Sequence, residues 1–128
     1  MRVRRRELQA YVNGAAVAGT LLVLPYWGRV VARSVVGDMI AENVPFFLLP
    51  IAWGGWNWLR VRIDPPLGAA AWGAVLGAAV AVAVNALLWT RGEWAAVNAL
   101  LVVWLPIVYA LGWVFVVTPL NRALGAEP

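Results

Sequence analysis

Residues 65–90 read PPLGAAAWGAVLGAAVAVAVNALLWT, and residues 94–121 read WAAVNALLVVWLPIVYALGWVFVVTPLN. Neither run contains Asp, Glu, Lys or Arg, and only Arg91, Gly92 and Glu93 separate them. A hydrocarbon core of roughly 30 Å takes about 20 apolar residues to cross as a helix. A charge at its centre costs about 2.5–3.5 kcal/mol on insertion scales. Each run is therefore long enough to span a bilayer, and the three-residue gap dictates a tight antiparallel hairpin. Two further stretches, residues 8–28 and 43–59, are also free of charge. Together the four runs predict an all-α polytopic membrane protein: a four-transmembrane-helix bundle with helices near residues 8–27, 35–59, 66–90 and 94–118. The expected organisation is a single transmembrane helical domain over residues 1–128.

Composition excludes several classes of chemistry. A chain of 128 residues that is 63% hydrophobic and 12% charged lacks the polar surface a soluble fold of that size needs. Cysteine and histidine are absent, so disulfides, thiol chemistry, zinc-type sites and His-ligated haem are excluded. No cofactor or metal is expected. The net charge of +4 comes entirely from arginines among the basic residues. These cluster at span ends, where they meet anionic lipid headgroups rather than nucleic acid.

The start of the chain, Met1-Arg2-Val3-Arg4-Arg5-Arg6-Glu7, is similar to the charged region of a signal peptide. The stretch that follows is too long for a signal core and carries Gln9, Asn13 and Thr20. It reads as a retained first helix. With the N-terminus inside, Arg2, Arg4, Arg5, Arg6, Arg60, Arg62 and Arg122 are cytoplasmic, against Arg29, Arg33 and Arg91 outside. The positive-inside bias thus predicts a multi-pass protein of the cell (inner) membrane with both termini cytoplasmic. Tyr26, Trp27, Trp89 and Trp94 then fall at the outer interface, and Trp53, Trp56, Trp58 and Trp113 towards the inner one. Trp104, near the middle of the fourth run, is expected to pack inside the bundle.

The two halves share a faint pattern. Leu49-Pro50-Ile51-Ala52-Trp53 with Gly55-Trp56 parallels Leu105-Pro106-Ile107-Val108-Tyr109 with Gly112-Trp113. Two repeated hairpins, each with a proline kink, would produce it. So would coincidence in a chain this rich in Leu, Val and Trp.

Two groups of residues stand out as functional candidates. The third helix carries Ala69, Gly73, Gly77 and Ala81 at i, i+4 spacing, a small-residue face that lets another backbone approach closely. Two surfaces could meet it: the first helix, with its own patch at Gly14, Ala15, Ala18 and Gly19, or a second copy of the chain. The other group is polar. Asp38 and Glu42 are i, i+4 neighbours on residues 29–43, which read either as an interfacial segment or as the start of the second helix. Asn85 and Asn98 lie level across the Arg91 turn and are placed to bond one another. With Arg91 above, Asp38, Glu42, Asn85 and Asn98 form a candidate polar pocket opening outward. Asn13 and Asn57, towards the inner side, read as helix glue.

The run Glu42-Asn43-Val44-Pro45-Phe46-Phe47 resembles a stretch in the second helix of the membrane-bound glutathione- and eicosanoid-metabolising proteins. The likeness ends after six residues. Where that family carries polar cofactor-binding positions, residues 65–90 offer only Trp72, Asn85 and Trp89. Nor does the Gly-Gly-x-Thr-Thr-Phe-Ser type of segment found in small fluoride channels occur.

Three functions are compatible with these features. Short loops, the small-residue face and sparse catalytic chemistry favour a non-enzymatic membrane protein. It would act by helix association with itself or with another membrane subunit, in the lipid bilayer. A transporter or channel for a small solute, ion or lipid, working as a dimer, would use the outward pocket. A lipid-modifying enzyme would use Asp38 or Glu42 as acid or base.

Overall fold

The computed structural model describes residues 2–24 and 48–127. Among them the chain is all-helical, with four helices and no strand. Helix α1 runs over Arg2–Ala18 and continues through a π-helical turn at Gly19–Val23. It begins well before residue 8, because the arginines that the membrane excludes are themselves good helix formers. Helix α2 is Leu49–Ile63. Its expected start near residue 35 lies outside the described residues, and it runs past residue 59 to include Arg60 and Arg62 in its last turn, where cations meet the negative helix end. Helix α3 is Ala69–Thr90, and α4 is Ala96–Ala123. The last begins as a 3-10 turn and carries a π-helical turn at Trp113–Val117. Helices α3 and α4 are long and apolar enough to cross a membrane.

The helix ends follow from local chemistry. Asp64 closes α2 in the left-handed conformation at φ +43°, donating its N–H to the Arg60 carbonyl, and the Pro65-Pro66 pair then prevents continuation. At the end of α3, Gly92 takes φ +70°. Its N–H reaches the Trp89 carbonyl at 3.1 Å, and the Glu93 N–H reaches the Leu88 carbonyl at 2.9 Å. That is the paired Schellman closure, which needs a residue without a Cβ penalty. The Arg91-Gly92 turn predicted from the sequence is therefore made by this backbone pattern.

The two prolines of the paired sequence pattern occupy different places. Pro50 lies in the first turn of α2, where its missing N–H costs nothing, whereas Pro106 is inside α4. The expectation of two matching proline kinks does not hold.

The described chain forms two compact units. The first comprises α1, α2 and the residues from Leu120 onward; the second comprises α3 and α4 up to Pro119. Glycine decides the packing in both. In the first unit a Cβ on Gly14 would stand 2.5 Å from the Trp53 carbonyl oxygen, and one on Gly54 would stand 2.8 Å from the Tyr11 carbonyl oxygen. The two helices thus touch backbone to backbone through reciprocal glycines. In the second unit Gly73 and Gly77 of α3 make close approaches to α4. A Cβ on Gly73 would meet the Tyr109 carbonyl oxygen at 2.5 Å, and one on Gly77 would meet that of Leu105 at 2.6 Å. Trp72, Leu76 and Ala81 extend the same buried face of α3, and Tyr109 and Trp113 are buried on α4.

Candidate functional site

The small-residue face of α3 has its partner within its own hairpin. Gly73 and Gly77 are buried against the backbone of α4, and Ala81 is buried beside them, with Ala69 half-buried. The sequence reading gave the first helix or a second copy as its partner; Gly73 and Gly77 instead close on the carbonyls of Tyr109 and Leu105. The tight turn makes α4 the nearest surface available, and the glycines let it close.

Of the proposed polar pocket, Asp38 and Glu42 lie outside the described residues. Asn85 and Asn98 do come together, as their level positions across the turn implied. The bond is from Asn85 Nδ2 to the main-chain carbonyl of Asn98 at 3.2 Å, not between the two side chains. Asn85 Nδ2 also donates to the Ala81 carbonyl at 2.9 Å, and its Oδ1 accepts from Trp94 Nε1 at 2.7 Å. Trp94 packs edge-on against Trp89, centroids 5.7 Å apart. Arg91 is exposed in the turn. The Asn85 amide is thus held by its own hairpin.

Among the described residues, the most heavily bonded polar cluster lies in the first unit. Asn13, Asn57 and Asn121 are 2%, 0% and 0% exposed. Burial of an amide is costly unless its bonds are made, and here they are made to each other. Asn57 Nδ2 donates to Asn121 Oδ1 and Asn121 Nδ2 donates back to Asn57 Oδ1, both at 2.9 Å. Asn13 Nδ2 donates to the same Asn121 Oδ1 at 3.0 Å. Asn121 Nδ2 gives its second hydrogen to Glu127 Oε1 at 2.6 Å. A carboxamide offers two donors and two acceptor sites, so the Asn121 side chain is fully committed. Outer members complete the network: Gln9 Nε2 donates to Asn13 Oδ1 at 2.9 Å, and Asn57 Nδ2 to the Ala10 carbonyl at 2.7 Å.

A glycine sets the geometry that brings Glu127 into this cluster. Gly125 adopts φ +73° after α4 ends at Ala123. Its N–H bonds the Arg122 carbonyl at 3.2 Å, and the Ala126 N–H bonds the Asn121 carbonyl at 2.8 Å. This second Schellman closure turns the chain back over α4. Ala126 is buried, and Glu127 meets both Asn121 and Arg60, whose Nη1 lies 3.0 Å from Glu127 Oε1. An open recess of about 350 Å³ adjoins the pair, lined by Arg6, Glu7, Arg60, Val61, Asp64, Arg122, Ala126 and Glu127. Its three arginines are balanced by three carboxylates.

Asn13 and Asn57 were legible as helix glue, although the contact between them runs through Asn121. The third amide, Glu127 and Arg60 were not anticipated. Asn121 ends the fourth charge-free run, at the level that the expected topology gives to Asn13 and Asn57. Comparing the depth of every amide would have signalled it. Chemically the cluster is a clamp: amides are neither acids nor bases near neutral pH, and the atoms of Asn121 that could hold a ligand already hold neighbours. One other expectation changes: Trp104 is 63% exposed rather than packed inside. Trp53 and Trp113 are buried against neighbouring residues. Among the described residues no group of three or more acidic, His or Cys side chains gathers as a metal site. Compared with known protein families, with curated proteins and with solved structures, the chain matches none.

Proposed function

We propose that this chain is a small integral protein of the cell (inner) membrane with four spanning helices and both termini in the cytoplasm. It works without catalysis, by helix association with a second copy or with another membrane subunit. The observation that carries this reading is the outer face of α4. Leu100, Val103, Trp104, Ile107, Leu111 and Phe115 follow one another at helical spacing and are all exposed, Phe115 to 71%. A core helix of a soluble fold would bury such side chains. Here the most apolar windows of α3 and α4 are only 28% and 17% buried. Large apolar surfaces of this kind mark lipid-facing or partner-facing faces. Since the glycine face of α3 is closed by α4, association falls to this outer stripe.

The arginine distribution supports the topology. Arg6, Arg60 and Arg122 line one recess of the first unit, and Arg4, Arg5 and Arg62 line a second beside it. Six of the seven arginines that the positive-inside reading assigns to the cytoplasm thus gather at one end. The closed amide network supports a role without catalysis, because these buried polar groups are spent on holding helices together.

The absence of native cysteine makes the test direct. Single cysteines at Val103, Ile107 and Phe115 are introduced and crosslinked in native membranes, with buried Ala81→Cys as reference. The stripe positions are expected to yield defined higher-mass species, either the homodimer or one constant partner, and Ala81→Cys none. Monomer alone from all three stripe positions would end the association reading.

A further inference from the structure

Gly55 is the glycine of α2 that helix packing does not require. A Cβ built there has nothing within 4 Å, whereas one on its neighbour Gly54 would strike the Tyr11 carbonyl oxygen at 2.8 Å. Glycine in a helix interior is unfavourable relative to alanine. The result here is a notch on the outer side of α2. It adjoins a shallow, wide-mouthed groove of about 810 Å³ along α1 and α2, whose less polar lining is Leu8, Tyr11, Gly55 and Trp58. Its rim is charged. Arg4, Arg5 and Arg62 stand around it, and Glu7 is the one carboxylate among the lining residues. That carboxylate is engaged, since Trp58 Nε1 donates to Glu7 Oε2 at 3.2 Å. The Arg62 guanidinium lies over the Trp58 ring, 5.0 Å from its centroid. A guanidinium held over a ring by cation–π attraction keeps its N–H donors for an oxyanion. The lining therefore combines an apolar trough with a net positive rim of two charges at one end.

We propose that this groove binds one anionic diacyl phospholipid, its phosphodiester among Arg4, Arg5 and Arg62 and an acyl chain laid along Tyr11 and Gly55. The occupant follows from charge complementarity together with shape. A free anion would use the rim and ignore the trough, and an uncharged lipid would use the trough and ignore the rim. The proposal rests on the membrane reading above, in which this end of the first unit lies at the cytoplasmic headgroup level.

The full-length chain, purified in mild detergent, is offered an equimolar mixture of phosphatidylglycerol and phosphatidylcholine with matched chains. Retained lipid is counted by native mass spectrometry. The unaltered protein is expected to keep phosphatidylglycerol in preference. Arg62→Gln lowers that preference about fivefold, the equivalent of about 1 kcal/mol per arginine near a headgroup. Gly55→Leu fills the trough and lowers retention of either lipid. Arg122→Gln, at the same end but outside the groove, leaves retention as it was. Equal retention of the two lipids, or an equal loss from Arg122→Gln and Arg62→Gln, overturns the site in favour of diffuse charge. Displacement of the lipid by millimolar inorganic phosphate overturns it in favour of a bare anion site. Alkaline extraction of the expressing membranes separates the two levels. Protein in the pellet with no lipid preference defeats the groove alone, and protein in the supernatant defeats the membrane reading beneath it.

Discussion

Replacing Asn121 with Ala removes the centre of the amide network. Four hydrogen bonds disappear: from Asn13, from and to Asn57, and to Glu127. Some partners keep another contact. Asn57 Nδ2 retains the Ala10 carbonyl, and Glu127 retains Arg60. Two groups are left with nothing, Asn13 Nδ2 and Asn57 Oδ1, each on a residue at most 2% exposed. An orphaned buried polar group costs about 1–3 kcal/mol. Interhelical bonds in membranes average only about 0.6 kcal/mol, because the membrane-inserted unfolded chain also finds partners. The lower bound per orphan therefore applies, and the expected loss is about 2 kcal/mol, roughly thirtyfold in the folded-to-unfolded ratio. Unfolding in mixed micelles by titration with SDS measures it. The double-mutant cycle with Asn57→Ala is the sharper test. Removing both amides leaves fewer orphans than the single changes imply, so the double variant should cost about 1 kcal/mol less than their sum. A loss below about 0.5 kcal/mol for Asn121→Ala, or strict additivity in the cycle, would refute the claim that these amides hold the unit together.

Three further outcomes are expected. Gly73→Ala drives a Cβ to within 2.5 Å of the Tyr109 carbonyl oxygen and should destabilise by about 1–3 kcal/mol. Gly55→Ala meets open space and should be neutral or stabilising by up to about 1 kcal/mol; the same SDS titration compares them, and equal losses would show that the close approaches do not decide packing. Gly125→Ala places a Cβ at φ +73° and should cost about 1–2 kcal/mol, releasing the chain end so that an Ala126→Cys label, at a position that is buried in the native fold, becomes accessible to a water-soluble maleimide; an unchanged labelling rate counts against the Schellman latch. Reporter fusions placed after Arg62 and at Pro128 should both read cytoplasmic, and one external reading would overturn the topology.

The sequence by itself determined the helical class, the number of helices among the described residues, and the tight turn at Arg91-Gly92. These depend on where charge is excluded and where the backbone needs a left-handed residue, both local properties. It also set Asn85 level with Asn98, because a short antiparallel hairpin leaves only the rise per residue to count. Helix ends were less legible. Hydropathy marks where lipid begins, not where backbone hydrogen bonding stops, so α1 reaches back to Arg2 and α2 runs on to Ile63. Partnership required the tertiary structure. Gly73 and Gly77 announce a close contact in any sequence reading, but which backbone fills it depends on how the helices are rotated about their axes. The same holds for Asn121, whose amide joins Asn13 and Asn57 where α1 and α2 cross through Gly14 and Gly54, and for Glu127, which reaches Asn121 because Gly125 turns the chain end back. Periodicity shows which face of a helix is small or polar; the rotation and crossing of helices, set by packing over the whole unit, determine what that face meets.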